Sequence, residues 1–321
     1  MCRRAGRQDE LADEGAPAAV IEVPTPEPGP GEVRVKVRAS SVNGFDVFVA
    51  KGMARGMMEH RYPVVIGKDY AGEIDALGEG ATEFALGDEV AGIVPTEPHL
   101  WRGAYAEFVA VPLDGFVVHK PGNLDFERAA CIGLAAITAV HCVETIEASE
   151  GQIVLVVGAT GGVGAYTVQL AAARGARVVA SALHQDEAWI RGLGASEIVD
   201  YSGDVVADML QRYPEGIDGL IVAAHVGDGF GALTDLVKDG GRIASTVGGA
   251  DVEALGQRGV VAANVIGHTD PEAFARVVQM AGDGTLSVPI TRTFTFDELP
   301  QALRLVGEER SRGKFVITIA S

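Results

Sequence analysis

The sequence predicts an α/β chain in which a β-rich, barrel-like region precedes a doubly wound parallel sheet. Three observations carry that prediction. Residues 153–157 (Ile-Val-Leu-Val-Val) are apolar and mostly β-branched, as a strand buried on both faces should be, and a glycine turn and a helix follow directly. Further strand and helix patterns then alternate to about residue 265. Between 32 and 118 the pattern differs: short strands are punctuated by glycine roughly every ten residues, with no helix between them.

Taken in order, residues 1–16 are polar and unpatterned and are expected to fray. Pro24 to Gly31 is a turn cluster, after which Glu32 to Ala39 alternates as a half-buried strand. Val64–Ile66, Gly72–Gly78, Asp88–Val94 and Ala104–Val111 continue the β pattern to Val118. Pro121-Gly122-Asn123 marks a junction, and an alanine-rich helix starts near Phe126. Beyond the glycine turn, a helix runs to Arg174. Strands at 177–180, 198–200, 219–223, 240–245 and 260–265 are then separated by helices at 185–193, 205–213 and 231–238. A helix at 271–281, a strand near 293–296, a helix at 300–306 and a closing strand at 313–319 complete the chain. The division expected is 17–122, completed by 290–321, as the β domain, with 123–289 as the parallel-sheet domain.

The glycine turn marks a dinucleotide-site candidate. Read as G-x-G-x-x-G, its positions are Ala159, Gly161 and Gly164, with alanine at the first. Strand, turn and helix in this order bring backbone N–H groups and a positive helix end to a pyrophosphate, so Thr160, Gly161, Gly162, Val163 and Gly164 are the expected cradle. An NAD site places a carboxylate at the end of the second strand for the ribose 2′-hydroxyl. Here Ala180-Ser181-Ala182-Leu183-His184 has none until Asp186. That permits a 2′-phosphate, with Ser181, His184 and Tyr201 as its expected contacts, and so favours NADPH. The same three residues also suit ordinary surface positions.

Composition narrows the rest. Lys and Arg number 26 against 44 Asp and Glu, a formal net charge of −18, which opposes nucleic-acid binding. Three cysteines, Cys2, Cys131 and Cys142, form no CxxC pair and suit a reducing compartment, so a cytoplasmic protein is expected. No run of about 18 apolar residues is evident, so no membrane span is expected. The basic N-terminus lacks the apolar core of a secretory signal.

Several segments carry a family resemblance: Pro26 to Val33, Ser41-Val42-Asn43-Gly44-Phe45-Asp46, Tyr62 to Gly72, Gly87 to Val90 and Gly103 to Phe108. Thr138-Ala139, Gly158 to Gly164, Leu193-Gly194-Ala195 and Gly240-Gly241-Arg242 complete the set. Over about residues 20–320 the chain resembles the zinc-free, zeta-crystallin-like quinone oxidoreductase branch of the medium-chain dehydrogenase/reductase superfamily. The resemblance implies a GroES-like β-barrel domain built from both chain ends, a Rossmann domain, and an active site in the cleft between them.

Zinc-bearing relatives hold the metal with a Cys in the segment matching Val42 to Asp46 and a His-Glu pair matching Lys68-Asp69. This chain has no Cys in the first and an ammonium at Lys68, which is no zinc ligand. The cysteine-bearing lobe for structural zinc is also missing between Val94 and Ala104. The resemblance therefore implies zinc-free hydride transfer from NADPH to a quinone or an α,β-unsaturated carbonyl, chemistry that needs no Lewis acid.

It also implies roles. Asn43 falls near the nicotinamide ribose, Phe48 is limited to stacking, and Thr138 falls near the ribose or carboxamide. Thr246-Val247-Gly248 and Asn264-Val265 flank the nicotinamide, and Lys314 is a cofactor-proximal base. A turn cap for Asn43, a helix-end position for Thr138 and a solvated edge strand for Lys314 suit the same residues. Tyr62, Lys68 and Tyr105 are the candidate proton donors. Two other readings stay open: an enoyl-thioester reductase, against which Gly44 stands where those domains place tyrosine, and a non-enzymatic nucleotide-binding relative. Relatives pair edge strands, and the apolar strand Val260 to Val265 suits a homodimer. The loop 50–61, with Met53, Met57 and Met58, suits either an adaptable apolar lid or a surface loop.

Overall fold

A computed structural model describes residues 2–7, 19–61, 64–96, 100–114, 117–267, 270–308 and 312–319. The chain divides into two compact units, 1–134 with 269–321, and 135–268. The first unit opens with β1 (Cys2–Arg7), β2 (Ala19–Val23), β3 (Glu32–Val42), α1 (Gly44–Ala50) and β4 (Val64–Val65). β5 (Asp69–Leu77), β6 (Glu89–Ile93), β7 (Phe108–Pro112) and β8 (Val117–His119) follow, then the start of α2 (Phe126–Thr145).

The eleven-residue β3 organises this unit. One of its edges pairs with β5. The other is shared, its start taken by β7 and its end by the last strand of the chain. Val33, Val35 and Val37 point into the core at alternate positions, as the sequence pattern requires. Each such burial stabilises by about 1.5–3 kcal/mol.

The second unit holds β9 (Ile153–Val157), α3 (Gly162–Ala173), β10 (Arg177–Ser181), α4 (Glu187–Gly192) and β11 (Glu197–Val199). α5 (Val205–Arg212), β12 (Ile217–Val222), α6 (Phe230–Thr234), β13 (Val237–Ser245), α7 (Val252–Gly256) and β14 (Val261–Asn264) complete it. Its strands are all parallel, in the order β11-β10-β9-β12-β13-β14 among the described residues. This is the doubly wound sheet read from the sequence. Val154, Leu155 and Val156 of central β9 are fully buried, which accounts for its unbroken apolar run. β14 lies at an edge, with Val261 about half exposed. The chain then returns to the first unit through α8 (Pro271–Gly282), β15 (Ile290–Thr295), α9 (Leu299–Glu308) and β16 (Lys314–Thr318).

Several expectations are corrected. Residues 2–7 do not fray but form β1, antiparallel to β2 and to β4. The helix expected over 231–238 stops at Thr234, because Val237 is fully buried in register with Ile217. The β-only reading of the first domain misses α1, which Asn43 and Asp46 start with a capping box. The two compact units meet at 134/135, within α2, next to Gly133 (φ −18, ψ −117), whose backbone leaves the helical region. Helix α8 goes with the first unit, where Asn123 donates to the Gly282 carbonyl.

One helix, α2, passes a test for membrane spans that the sequence reading did not apply. By length and composition α2 qualifies, with a mean hydropathy of 1.4. It is nevertheless a core helix. Of its apolar window 78% is buried in the protein.

Candidate functional site

The glycine turn after β9 is open at the positive end of a helix. Gly158 makes the turn, with φ 77. The first glycine of the motif is therefore Gly158 and not Ala159, which is fully buried. The Gly161 N–H closes the turn on the Gly158 carbonyl at 3.0 Å. Gly161 caps α3 with no side-chain bond to its N–H groups, and no acidic residue sits in the first helical turn. An anion would meet unsatisfied N–H groups and the helix dipole there. A Cβ on Gly164 would lie 2.1 Å from the Gly158 carbonyl oxygen, so this glycine lets the helix pack on the turn. At Gly161 the nearest atom would be 3.4 Å away. These residues fit the pyrophosphate of a dinucleotide.

The other expected cofactor residues of this unit lie at the same carboxyl ends of the parallel strands, where α/β folds bind ligands. Ser181 ends β10 and is buried, while His184 is exposed. The His184 ring lies 3.6 Å from Asp200 and 3.9 Å from Glu187. Asp200 and Tyr201 follow β11, and Thr246, Val247 and Gly248 follow β13. Ser245 Oγ donates to the Gly248 carbonyl there at 2.7 Å. Val265 continues past β14, its N–H bonded to the Ser245 carbonyl. The Asn264 amide is engaged by both the N–H and the C=O of Ala250 at 3.1 Å, which makes it a strut under the 246–250 loop. Thr138 is buried midway along α2.

In the first unit a buried polar cluster forms where β3, α1, β5 and β16 meet. Lys314, 2% exposed, donates to Asn43 Oδ1 at 2.6 Å and to the Val42 carbonyl at 3.1 Å. This is a buried bridge and not a solvated edge-strand lysine. Asn43 Nδ2 donates to Asp69 Oδ2 at 2.8 Å and to Asp46 Oδ2 at 3.3 Å. Asp69 Oδ2 also accepts the Ser41 hydroxyl at 2.6 Å and lies 3.6 Å from Lys314 Nζ. Asp69 Oδ1 accepts the Leu134 N–H at 2.7 Å. Asp46 Oδ2 accepts the Asn43 N–H at 2.9 Å and the Tyr105 hydroxyl at 3.0 Å. Lys68 donates to the Val94 carbonyl and stands over the Phe45 ring.

Burial sets the electrostatics of this cluster. It raises the Asp46 carboxyl from 3.8 to about 6, and the charge of Asp69 pushes the same way. Among the described residues Asp46 Oδ1 is buried with no hydrogen-bond partner. Burial lowers Lys68 from 10.5 to about 8, against the attraction of Asp46 and Asp69. Burial and the Asp46 charge push Tyr105 well above 10, so its phenol stays protonated. The Asp46 carboxyl and the Lys68 ammonium are thus both displaced toward neutral pH from their ordinary values.

Asn43 and Lys314, singled out separately in the sequence, are thus brought together, while Lys68 feels the charges of Asp46 and Asp69 but makes its own contacts with the Val94 carbonyl and the Phe45 ring. Phe48 is not part of the cluster and packs on the apolar core of its unit. Tyr62 lies outside the described residues. Ser41, Asp46 and Asp69 are the members that sequence reasoning passed over as site residues. The Asn43-x-x-Asp46 capping spacing was the available signal for Asp46. Among the described residues no group of three His, Cys, Asp or Glu side chains could hold a metal ion. Both oxygens of Asp69 are taken, by Ser41, Asn43 and Leu134, and the basic neighbour of the pair is the Lys314 ammonium; two carboxylates that no described histidine or cysteine completes to a group of three do not make a zinc set.

Residues 29–122 match the Alcohol dehydrogenase GroES-like domain family, and residues 193–317 match the Zinc-binding dehydrogenase family. A quinone oxidoreductase of Pseudomonas aeruginosa is 30% identical over 299 residues, covering 87% of this chain and 89% of that protein. The solved quinone oxidoreductase of Coxiella burnetii superposes with a TM-score of 0.87 at 26% identity, covering all of both chains. A mycocerosic acid synthase-like polyketide synthase of Mycolicibacterium smegmatis is 29% identical over 88% of this chain, which spans 14% of that protein.

Proposed function

Because this chain belongs to the quinone oxidoreductase branch of the medium-chain dehydrogenase/reductase superfamily, we propose that it is an NADPH-dependent, zinc-independent reductase of quinones or α,β-unsaturated carbonyls. One observation carries the reading. Where zinc-bearing relatives place a histidine ligand, this chain buries the Lys68 ammonium at a pKa of about 8. A group so placed offers a proton and not a Lewis acid.

The bound cofactor supplies the hydride. Thr160 to Gly164 would hold its pyrophosphate, and the end of β10 at Ser181, which carries no carboxylate of its own, would admit a 2′-phosphate. Lys68 Nζ would give a proton to the oxygen of a conjugated acceptor that gains charge. The neutral amine that remains is tolerated in its buried setting. Asn43, Asp69 and Lys314 fix the backbone around Val42.

A panel of simple quinones and enones with NADPH, on protein dialysed against EDTA, tests this. Undiminished turnover is the expected result; alcohol oxidation that appears only with added zinc would overturn it. A second reading, reduction of an enoyl thioester, draws on the polyketide synthase match. Preference for crotonyl thioesters over quinones in the same panel would favour it. We also propose a homodimer paired through the exposed edge of β14, since an apolar, proline-free edge otherwise invites uncontrolled pairing. A monomer mass by light scattering at micromolar concentration would exclude it.

A further inference from the structure

The spacing rule for cofactor choice looks for a carboxylate about twenty residues after the glycines, at the end of the second strand. It finds Ser181 here. The sheet places a carboxylate beside that position by another route. Ser181 of β10 is in register with Val199 of β11, and the Ala182 N–H continues the pairing to the Val199 carbonyl at 3.0 Å. Asp200 is the next residue, one strand spacing (about 5 Å) to the side. Its Oδ1 accepts the Ser202 N–H at 2.8 Å and the Ser202 hydroxyl at 2.6 Å. These bonds pull its carboxyl below the ordinary range. Its Oδ2 faces the exposed ring of His184 at 3.6 Å. Glu187, on the other side of that ring, is tied to Arg191 at 2.8 Å, so it is largely neutralised. Asp186 is buried.

We propose that Asp200 determines cofactor selectivity in this chain: its carboxylate accepts a ribose 2′-hydroxyl and opposes a 2′-phosphate, which His184 receives. The inference rests on the reading of a nicotinamide dinucleotide at the glycine turn. It implies that the NADPH preference expected from Ser181 is held down by Asp200, and that one substitution releases it. The logic is that of discrimination by an opposed charge.

Calorimetric titration with 2′,5′-ADP and with 5′-AMP, the two adenosine halves, reads the effect without turnover. Asp200→Asn is expected to raise the affinity ratio of 2′,5′-ADP to 5′-AMP about tenfold. Asp200→Ser should act in the same direction, and His184→Ala should lower the ratio mainly through 2′,5′-ADP. Circular dichroism confirms that each variant is folded. A ratio unchanged in both Asp200 variants overturns the proposal even where the parent protein prefers 2′,5′-ADP. A parent that prefers 5′-AMP, with the ratio still rising in Asp200→Asn, sinks the NADPH reading and supports the role of Asp200. Binding of neither nucleotide to the folded parent overturns both.

Discussion

Oδ1 of Asp69 accepts the N–H of Leu134 at 2.7 Å, and a Cβ on Gly133 would fall 2.1 Å from that same oxygen. One carboxylate thus caps the second half of α2 while its other oxygen anchors Ser41, Asn43 and Lys314. Removing it leaves a buried ammonium without its counter-ion and a helix end without its cap. Asp69→Asn should cost about 3–5 kcal/mol, the scale for breaking a buried ion pair. Gly133→Ala should cost at least about 2 kcal/mol through overpacking alone. Urea denaturation measures both. A loss under 1 kcal/mol in Asp69→Asn would show that the cluster is not the structural hub described.

Asp46 gives stability a pH dependence of unusual sign for an acid. Its folded pKa, about 6, lies above the ordinary 3.8, so the native state binds the extra proton. Its contribution is then fully present below 3.8 and is lost as pH rises through 6, by roughly 3 kcal/mol. Asp46→Asn resembles the protonated acid and retains an acceptor for Asn43 and Tyr105. It should remove this dependence and be more stable than the parent at pH 8. Thermal melts at pH 4, 6 and 8 decide; a parent whose melting point climbs from pH 4 to 8 in step with Asp46→Asn contradicts the assignment.

How much of this was legible follows from where each signal lives. The parallel sheet was readable because a strand buried on both faces writes its burial into consecutive residues, as Val154 to Val156 do. Lys314 and Asn43 could each be picked out, but not as partners 271 residues apart, because only the pairing of β16 on β3 joins them. Asp200 was invisible for a similar reason. It reaches the end of β10 from a neighbouring strand, and a spacing rule along one chain segment cannot see across a sheet. Helix α1 was hidden by its seven-residue length, too short for a periodic pattern.

Lys68 predicts the shape of the pH–rate profile. A proton donor with a pKa of about 8 is active when charged, so turnover should fall as pH rises through 8. Lys68→Gln should lower kcat by about 10²–10⁴, the usual contribution of a general acid, and abolish that limb. Its stability effect runs in another window. A lysine whose folded pKa is depressed contributes stability present above 10.5 and lost as pH falls through 8, so Lys68→Met should not destabilise at pH 7. Stopped-flow hydride transfer from pH 6 to 10 reads the first effect. An alkaline limb persisting unchanged in Lys68→Gln would assign the proton to another group.

The glycine turn separates a binding glycine from a folding glycine. At Gly161 an added methyl meets nothing nearer than the Gly158 carbonyl oxygen at 3.4 Å, so Gly161→Ala should fold with stability within about 1 kcal/mol of the parent. It would nevertheless occupy the space through which the backbone approaches a pyrophosphate, and the N–H groups that open α3 would be screened from it. Cofactor affinity should drop by about 2 kcal/mol or more, the scale on which charge-assisted hydrogen bonds are lost. Gly164 behaves oppositely. Its Cβ would stand 2.1 Å from the Gly158 carbonyl oxygen and 2.7 Å from the Ala159 Cα, backbone atoms that cannot rotate away. The helix must lift off the turn, so Gly164→Ala should destabilise the second unit by about 1–3 kcal/mol before any ligand is added. Fluorescence titration with NADPH, paired with thermal melts of the unliganded proteins, distinguishes the two. If Gly161→Ala bound NADPH as the parent does, the pyrophosphate would have to lie elsewhere than at the start of α3.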